Sequence, residues 1–285
     1  MAPDRLEISS PAKVNLTLRI CGRRDDGFHE IESLMAPISL SDRVTLETGG
    51  SGIRIRCDAP GIPEDETNLA WRAADLFFKE RGSGPGLSIT LEKNIPAGAG
   101  LGGGSGNAAG VLNGLNTLLG RPFSLEKLAD MGARIGSDVP FFVYGKPAWI
   151  TGVGEAIDLV RGLYPHHLVV VFPGIEASTA KVYKKCNLAL TRCKKIHSVP
   201  DLTGDPAYVE GLLCNDLERP ALEEYPGIGK AVDALSQTQA LGVLMSGSGS
   251  SVFGLFRQEA EAVETRRTLE SKHPGWRVFS CRLLV

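Results

Sequence analysis

The chain has 285 residues, 42% of them hydrophobic, and a formal net charge of −2. That length predicts one large or two medium domains with ample apolar material for a core. The slightly acidic balance argues against a nucleic-acid partner, which usually needs a basic face. No apolar run approaches the roughly 20 residues of a membrane helix.

Residues 13–20 alternate: Val14, Leu16, Leu18 and Ile20 are apolar, while Lys13, Asn15, Thr17 and Arg19 are polar. That pattern predicts a half-buried strand. Residues 22–27 read as a turn, and residues 31–46 as further strand-like segments. Residues 68–80 read as a helix with Leu69, Ala73, Leu76 and Phe77 on one face. Residues 87–91 are a strand that leads into a glycine-rich loop. Helices follow over 105–119 and 124–134, the second capped by Ser124. Residues 136–140 form a break before a short helix. A hairpin spans 149–160 and turns at Gly152–Gly154.

A second compositional unit starts near Leu168, with an apolar run at 168–172 that reads as a buried strand. Residues 176–194 are polar and lysine-rich. Residues 242–256 read as strand, glycine-serine turn, strand. A charged helix over 259–271 and a last strand over 276–285 close the chain. Mixed strands and helices without strict βαβ alternation predict an α+β fold, in two domains, 1–163 and 164–285.

The six cysteines (21, 57, 186, 193, 214, 281) form no C-x-x-C pair, and the five histidines offer no zinc spacing. Reduced, mostly structural thiols in a cytoplasm are the expectation. The polar first seven residues do not read as a signal peptide.

The densest signal is the stretch Pro96-Ala-Gly98-Ala-Gly100-Leu101-Gly102-Gly103-Gly104-Ser105-Gly106-Asn107, with six glycines in nine residues. Such a loop bares backbone amides, and feeding a helix N-terminus it forms an anion site, usually for phosphate. It lacks the Gly-Lys-Ser/Thr ending of a P-loop. Gly98, Gly100 and Gly103 meet G-x-G-x-x-G, but no following strand ends in a ribose-binding acid. His-Arg-Asp and Asp-Phe-Gly, the marks of protein kinases, are absent.

Other chemistry-bearing residues are weak singly. Lys13 and Asn15 point to one face of a strand, which alone reads as the solvated side. Phe28-His29, past a turn, reads alone as packing. Asp138, before Val139-Pro140, reads alone as a helix cap.

Their order along the chain changes that reading. The glycine loop resembles the second signature of the superfamily of galactokinase, homoserine kinase, mevalonate kinase and phosphomevalonate kinase, and residues 245–251 resemble its third. Ser10-Pro-Ala-Lys-Val-Asn-Leu, Arg24-Asp-Asp-Gly-Phe-His-Glu, Asn68-Leu69, Ile135-Gly-Ser-Asp-Val-Pro-Phe, Gly152-Val-Gly-Glu and Asn215-Asp-Leu-Glu resemble the branch that acts on 4-diphosphocytidyl-2-C-methyl-D-erythritol. The resemblance implies a first domain like domain 2 of ribosomal protein S5 and a ferredoxin-like second domain. It implies ATP and Mg2+ as cofactors and phosphorylation of the acceptor's 2-hydroxyl, in non-mevalonate isoprenoid synthesis. A sibling reading keeps the kinase and changes the acceptor to mevalonate, homoserine or a sugar. A nucleotide-binding protein without catalysis is a further reading.

Carried onto this sequence, the resemblance makes Asp138 the base and Lys13 its cationic partner. Asn15 would orient the acceptor, His29 would read the cytosine edge, and Phe28, in place of the usual tyrosine, would stack on cytosine opposite Tyr183. Asn68, Leu69 and Lys93 would contact the nucleoside of ATP, and residues 96–107 its phosphates. The family loop usually reads Gly-Ser-Ser-Asn where this chain has Gly104-Ser105-Gly106-Asn107, which leaves Ser105 as the candidate metal ligand. The expected partner is a small molecule, with no nucleic acid or membrane; the oligomeric state lies between monomer and weak dimer.

Overall fold

A computed structural model describes residues 4–188, 191–194 and 206–285. Residues 1–3 and 189–190, on which the expectations for the N-terminus and the lysine-rich stretch partly fall, lie outside the described residues. Two compact units organise the chain, and neither follows one cut along it. The first comprises Met1–Ala12, Ser41–Ile95 and Gly102–Gly145; the second comprises Lys13–Leu40, Pro96–Leu101 and Lys146–Val285. The long strands β1 (Arg5–Arg23) and β2 (His29–Thr48) run through both.

In the first unit β4 (Leu87–Glu92) pairs antiparallel with β2, from Arg43 opposite Glu92 to Thr48 opposite Leu87, and β3 (Ile53–Cys57) lies parallel to β4. Four helices complete it: α1 (Leu69–Arg81), α2 (Gly103–Leu118), α3 (Leu125–Ala133) and α4 (Val139–Tyr144). Asn68 starts α1 by accepting from Ala70 N at 2.9 Å, and Gly82, at φ 87°, ends it. Ser124 caps α3 as expected, accepting from Lys127 N at 3.3 Å.

Helix α2 carries Gly106, Gly110 and Gly114 four residues apart, hence on one face. That face lies against the strands. A Cβ on Gly110 would stand 3.7 Å from both Ile8 and Val44 side chains, and one on Gly114 would meet Leu46 at 2.6 Å. Mid-helix glycine costs about 0.5–1 kcal/mol relative to alanine. A Cβ on Gly110 would make ordinary van der Waals contact and one on Gly114 would displace the methyl ends of Ile8 and Leu46, so these glycines let α2 lie close on the strands.

In the second unit β5 (Ala148–Gly152) pairs antiparallel with β2 through residues 31–35 and with β6 (Ala156–Leu159), which is the expected hairpin. A separate four-stranded antiparallel sheet is built from β7 (His167–Phe172), β9 (Gly242–Met245), β10 (Val252–Phe256) and β11 (Arg277–Arg282), in the order β11-β7-β10-β9. The run at 168–172 is fully buried except at Phe172, as its continuous apolarity predicts. The short β8 (Cys214–Asn215) lies parallel to β1.

Among the described residues, five helices accompany these strands: α5 (Thr179–Lys185), α6 (Pro206–Leu212), α7 (Glu218–Glu224), α8 (Gly227–Ser236) and α9 (Glu259–Lys272). Val182, Leu217, Ala221, Ile228, Ala231 and Leu269 bury against Val169, Val171, Val252 and Phe256 to form the core. The sequence reading did not anticipate α5, α6, α7 and α8; seven to ten residues are too few to display a helical period clearly. The last residues return to β2, where Leu283 bridges Ile38 and Leu284 N donates to Pro37 O at 2.8 Å.

Two expectations are corrected. The polar side of residues 13–20 is not solvated: Lys13, Asn15 and Thr17 are each at most 5% exposed. The thiols are not all reduced either, because Cys193 and Cys214 form a disulfide. Their sequence separation of 21 carries no pairing signal; folding brings β8 beside β1 and sets the 191–194 stretch against it.

Candidate active site

The second unit assembles the residues expected around the acceptor. Lys13 Nζ donates to Asn15 Oδ1 at 2.6 Å, Asn15 Nδ2 donates to Ser33 Oγ at 2.8 Å, and Ser33 Oγ donates to Thr17 O at 2.7 Å. Strand periodicity puts Lys13, Asn15 and Thr17 on one face. A buried ammonium and amide require such partners, since an unpaired polar group in the interior costs several kcal/mol. Asn15 therefore orients Lys13 directly.

The two glycine-serine motifs meet within the same unit. The loop half Pro96–Leu101 lies along the turn between β9 and β10: Ser251 N donates to Ala99 O at 3.1 Å, Ser246 Oγ donates to Gly100 O at 3.2 Å, and Lys13 N donates to Leu101 O at 3.0 Å. Gly100, at φ +75°, has no room for a side chain, because a Cβ would stand 2.6 Å from Gly249 O. Asn215 Nδ2 holds the turn from behind through Met245 O and Gly247 O, each at 2.8 Å. Gly98 is exposed beside Glu176, with 3.4 Å between its Cβ position and Glu176 Cγ.

His29 and Tyr183 also come together, with ring centroids 5.1 Å apart at 43°. Phe28 is 65% exposed, the largest exposure among the big apolar side chains described. Burial pushes the His29 pKa below the usual histidine value, with nearby Arg23 adding to the effect. His29 is therefore neutral at pH 7 and presents one donor and one acceptor nitrogen.

The first unit holds the expected base and the remaining expected nucleotide residues, while Pro96–Leu101 belong to the second. Helix α2 begins after Gly102, at φ 72°, and no side chain caps it. Its first-turn amides, at Gly103, Gly104 and Ser105, lack an intrahelical acceptor and carry the positive end of the helix dipole. Lys93 does not extend into solvent. It pairs with Asp42 and donates to Asn107 Oδ1 at 2.9 Å. Asp42, whose side chain is fully buried, also accepts from Asn94 N and Ile95 N, both at 2.8 Å, and from Asn107 Nδ2 at 3.0 Å. Asn107 Nδ2 reaches Ser10 Oγ at 3.1 Å as well. This carboxylate locks the end of β4 to the first turns of α2. Sequence reasoning passed over Asp42; the available signal was an aspartate inside a long strand pattern, where that residue type is depleted.

Asn68 spends its side chain locally, on Ala70 N and, as donor, on Pro63 O at 2.7 Å. Leu69 faces the start of α2, 3.6 Å from the Cβ position of Gly104. Asp138 occupies the N-cap position of α4, yet its side chain makes no capping hydrogen bond. The capping reading of this residue therefore fails.

The departure at Gly106 has a structural reason. Its Cβ position points inward, 2.9 Å from Ser10 Oγ and 3.0 Å from Pro11 O. It is the first member of the α2 glycine stripe, and a serine there would turn toward β1.

Known proteins agree with this architecture. The family model "GHMP kinases N terminal domain" matches residues 68–146, and "GHMP kinases C terminal" matches residues 198–274. The chain belongs to the GHMP kinases. It is 46% identical to the 4-diphosphocytidyl-2-C-methyl-D-erythritol kinase of Syntrophotalea carbinolica, over 95% of this chain and 96% of that one. It is 42% identical to the enzyme of that name from Geobacter metallireducens, over 98% and 99%. A crystal structure of 4-(cytidine 5'-diphospho)-2C-methyl-D-erythritol kinase matches with a TM-score of 0.82 and 36% identity, covering 98% of this chain and 99% of that chain. Homoserine kinase from Cytophaga hutchinsonii shares the fold, with a TM-score of 0.73 at 19% identity over 98% and 95%.

Proposed function

We propose that the chain transfers the γ-phosphoryl group of ATP to the 2-hydroxyl of 4-diphosphocytidyl-2-C-methyl-D-erythritol, in the cytoplasm, as a step of non-mevalonate isoprenoid synthesis. The observation that carries the choice of acceptor is the His29–Tyr183 ring pair next to exposed Phe28, in the unit that holds Lys13 and Asn15. Aromatic surface with a neutral donor-acceptor edge suits a pyrimidine base better than it suits a small acid.

In this reading Asp138 accepts the proton of the acceptor hydroxyl as that oxygen bonds to the γ-phosphorus. The bond from the γ-phosphorus to the bridging oxygen breaks, and ADP departs. Lys13, held by Asn15, places a cation where negative charge develops on the acceptor oxygen and the transferring group. Residues 96–107 and the start of α2 cradle the phosphates through main-chain amides. Asn68, Leu69 and Lys93 shape the nucleoside side.

Ser105, in the first turn of α2, offers a hydroxyl that suits Mg2+, which takes most of its ligands from phosphate and water. Bound there, Mg2+ would neutralise phosphate charge.

The test is phosphorus NMR of the protein with ATP, Mg2+ and the cytidyl acceptor, with mevalonate and homoserine in parallel. A new phosphomonoester signal is expected with the cytidyl acceptor only. A signal with mevalonate or homoserine instead would overturn the choice of acceptor.

A further inference from the structure

The Cys193–Cys214 disulfide has no part in the phosphoryl chemistry, yet both of its ends lead to residues proposed to hold the acceptor. We propose that this pair is a thiol-sensitive clasp that keeps the acceptor-binding elements of the second unit in register; the link to the acceptor rests on the function proposed above.

Cys214 lies in β8, opposite Thr17 of β1, and its neighbour Asn215 lies opposite Leu18. Asn215 Nδ2 fixes Met245 O and Gly247 O. A Cβ on Gly247 would stand 3.1 Å from Lys13 Nζ and 3.3 Å from Asn15 Oδ1. One residue beyond the disulfide, then, an amide positions the turn that borders the Lys13–Asn15 pair. On the other side, Cys193 belongs to the stretch that follows α5, the helix carrying Tyr183. Arg192 N and Cys193 N donate to Asp216 Oδ1 at 2.8 and 3.1 Å, and Asp216 Oδ2 accepts from Ile20 N at 2.9 Å. The covalent bond and these three hydrogen bonds tie the 191–194 stretch to β8 and β1.

Both cysteines are half-buried, within reach of a small dithiol. Asp216 is the one further metal-type ligand grouped with the pair among the described residues, and its carboxylate already accepts three backbone N–H groups. That favours a disulfide over a metal site. In a reducing compartment a disulfide is usually transient and redox-sensing, and accessible ones are the labile ones. The exchange balances with a dithiol reductant. One reagent thiolate attacks a disulfide sulfur and expels the other cysteine as thiolate. The second reagent thiol then displaces the first cysteine, leaving two protein thiols and one reagent disulfide.

The experiment uses the full chain purified under air, with dithiothreitol as the probe. Alkylation of the denatured protein, read by mass spectrometry, is expected to label four of the six cysteines before reduction and all six after. Reduction is expected to raise the KM for the cytidyl acceptor at least about fivefold and to leave the KM for ATP unchanged. Cys193→Ser/Cys214→Ser should start at the reduced value and ignore dithiothreitol. Without any reductant present, trypsin should cut this variant after Arg192 and Lys194 several-fold faster than it cuts the oxidised protein. Six labelled cysteines before reduction would overturn the proposal, as would Zn2+ protecting the pair from alkylation. Equal tryptic cleavage and an equal acceptor KM in the oxidised protein and the variant would do so too. Labelling and proteolysis need no turnover, so failure of the acceptor assignment is read separately.

Discussion

Asp138 separates capping from chemistry at the level of one side chain. A cap removed from a helix costs about 1 kcal/mol of stability, whereas a positioned base contributes roughly 10²–10⁴-fold to rate. Since the carboxylate makes no capping bond, Asp138→Asn is expected to lower kcat about 10²–10⁴-fold with Tm and the KM for ATP unchanged. Steady-state kinetics beside a thermal melt checks this, and a lower Tm at full kcat would return the residue to a structural role.

His29 offers a second measurement. Its pKa lies below the usual value near 6.5 because burial disfavours the charged ring. Between the two values the unfolded chain binds more protons than the native one. The neutral ring's contribution to stability is therefore present above about pH 6.5 and is lost as pH falls through the depressed pKa. The KM for the cytidyl acceptor should be flat above about pH 6.5 and rise below it. His29→Gln, which cannot charge, should flatten that profile.

Helix α2 shows how an element explains a residue. The family pattern makes Gly106 look like a lost phosphate contact, but the i, i+4, i+8 stripe of Gly106, Gly110 and Gly114 makes it a packing position. With a Cβ that would stand 2.9 Å from Ser10 Oγ, Gly106→Ser overpacks the helix against β1. It is expected to cost about 1–3 kcal/mol without tightening ATP binding. A denaturant melt together with ATP titration decides, and tighter ATP binding would show that the hydroxyl faces the phosphates. At the same scale, the helices α1, α2, α3 and α9 and the hairpins were legible because their apolar periods and cap residues are local. Helices α5 to α8 were not: they are short, and Val182, Ala221 and Ile228 of α5, α7 and α8 gain order by burial in the core of the second unit.

The second unit gathers distant parts of the chain, and its last residues are part of that closure. Leu283 is 1% exposed, its N–H donates to His166 O at 2.9 Å, and Leu284 N reaches Pro37 O. Deleting residues 283–285 should cost about 2–4 kcal/mol and lower Tm by roughly 4–10 °C, measured by calorimetry. An unchanged Tm would mean that the terminal residues contribute nothing to the fold.

The sequence by itself determined the α+β class, most of the larger elements, the glycine loop opening a helix, and the ordered motifs that mark the family. Each of these is written in contiguous residues, as a period, a cap or a short signature. Tertiary structure alone decided that the polar face of β1 is buried, that Asn15 grips Lys13, and that Asp42 locks Lys93 to Asn107. It alone paired Cys193 with Cys214 and turned Gly106 toward β1. These contacts join residues far apart in the chain, or depend on which face of a strand is covered. Burial then presses donors and acceptors to pair inside the protein, and no local pattern specifies with which residue.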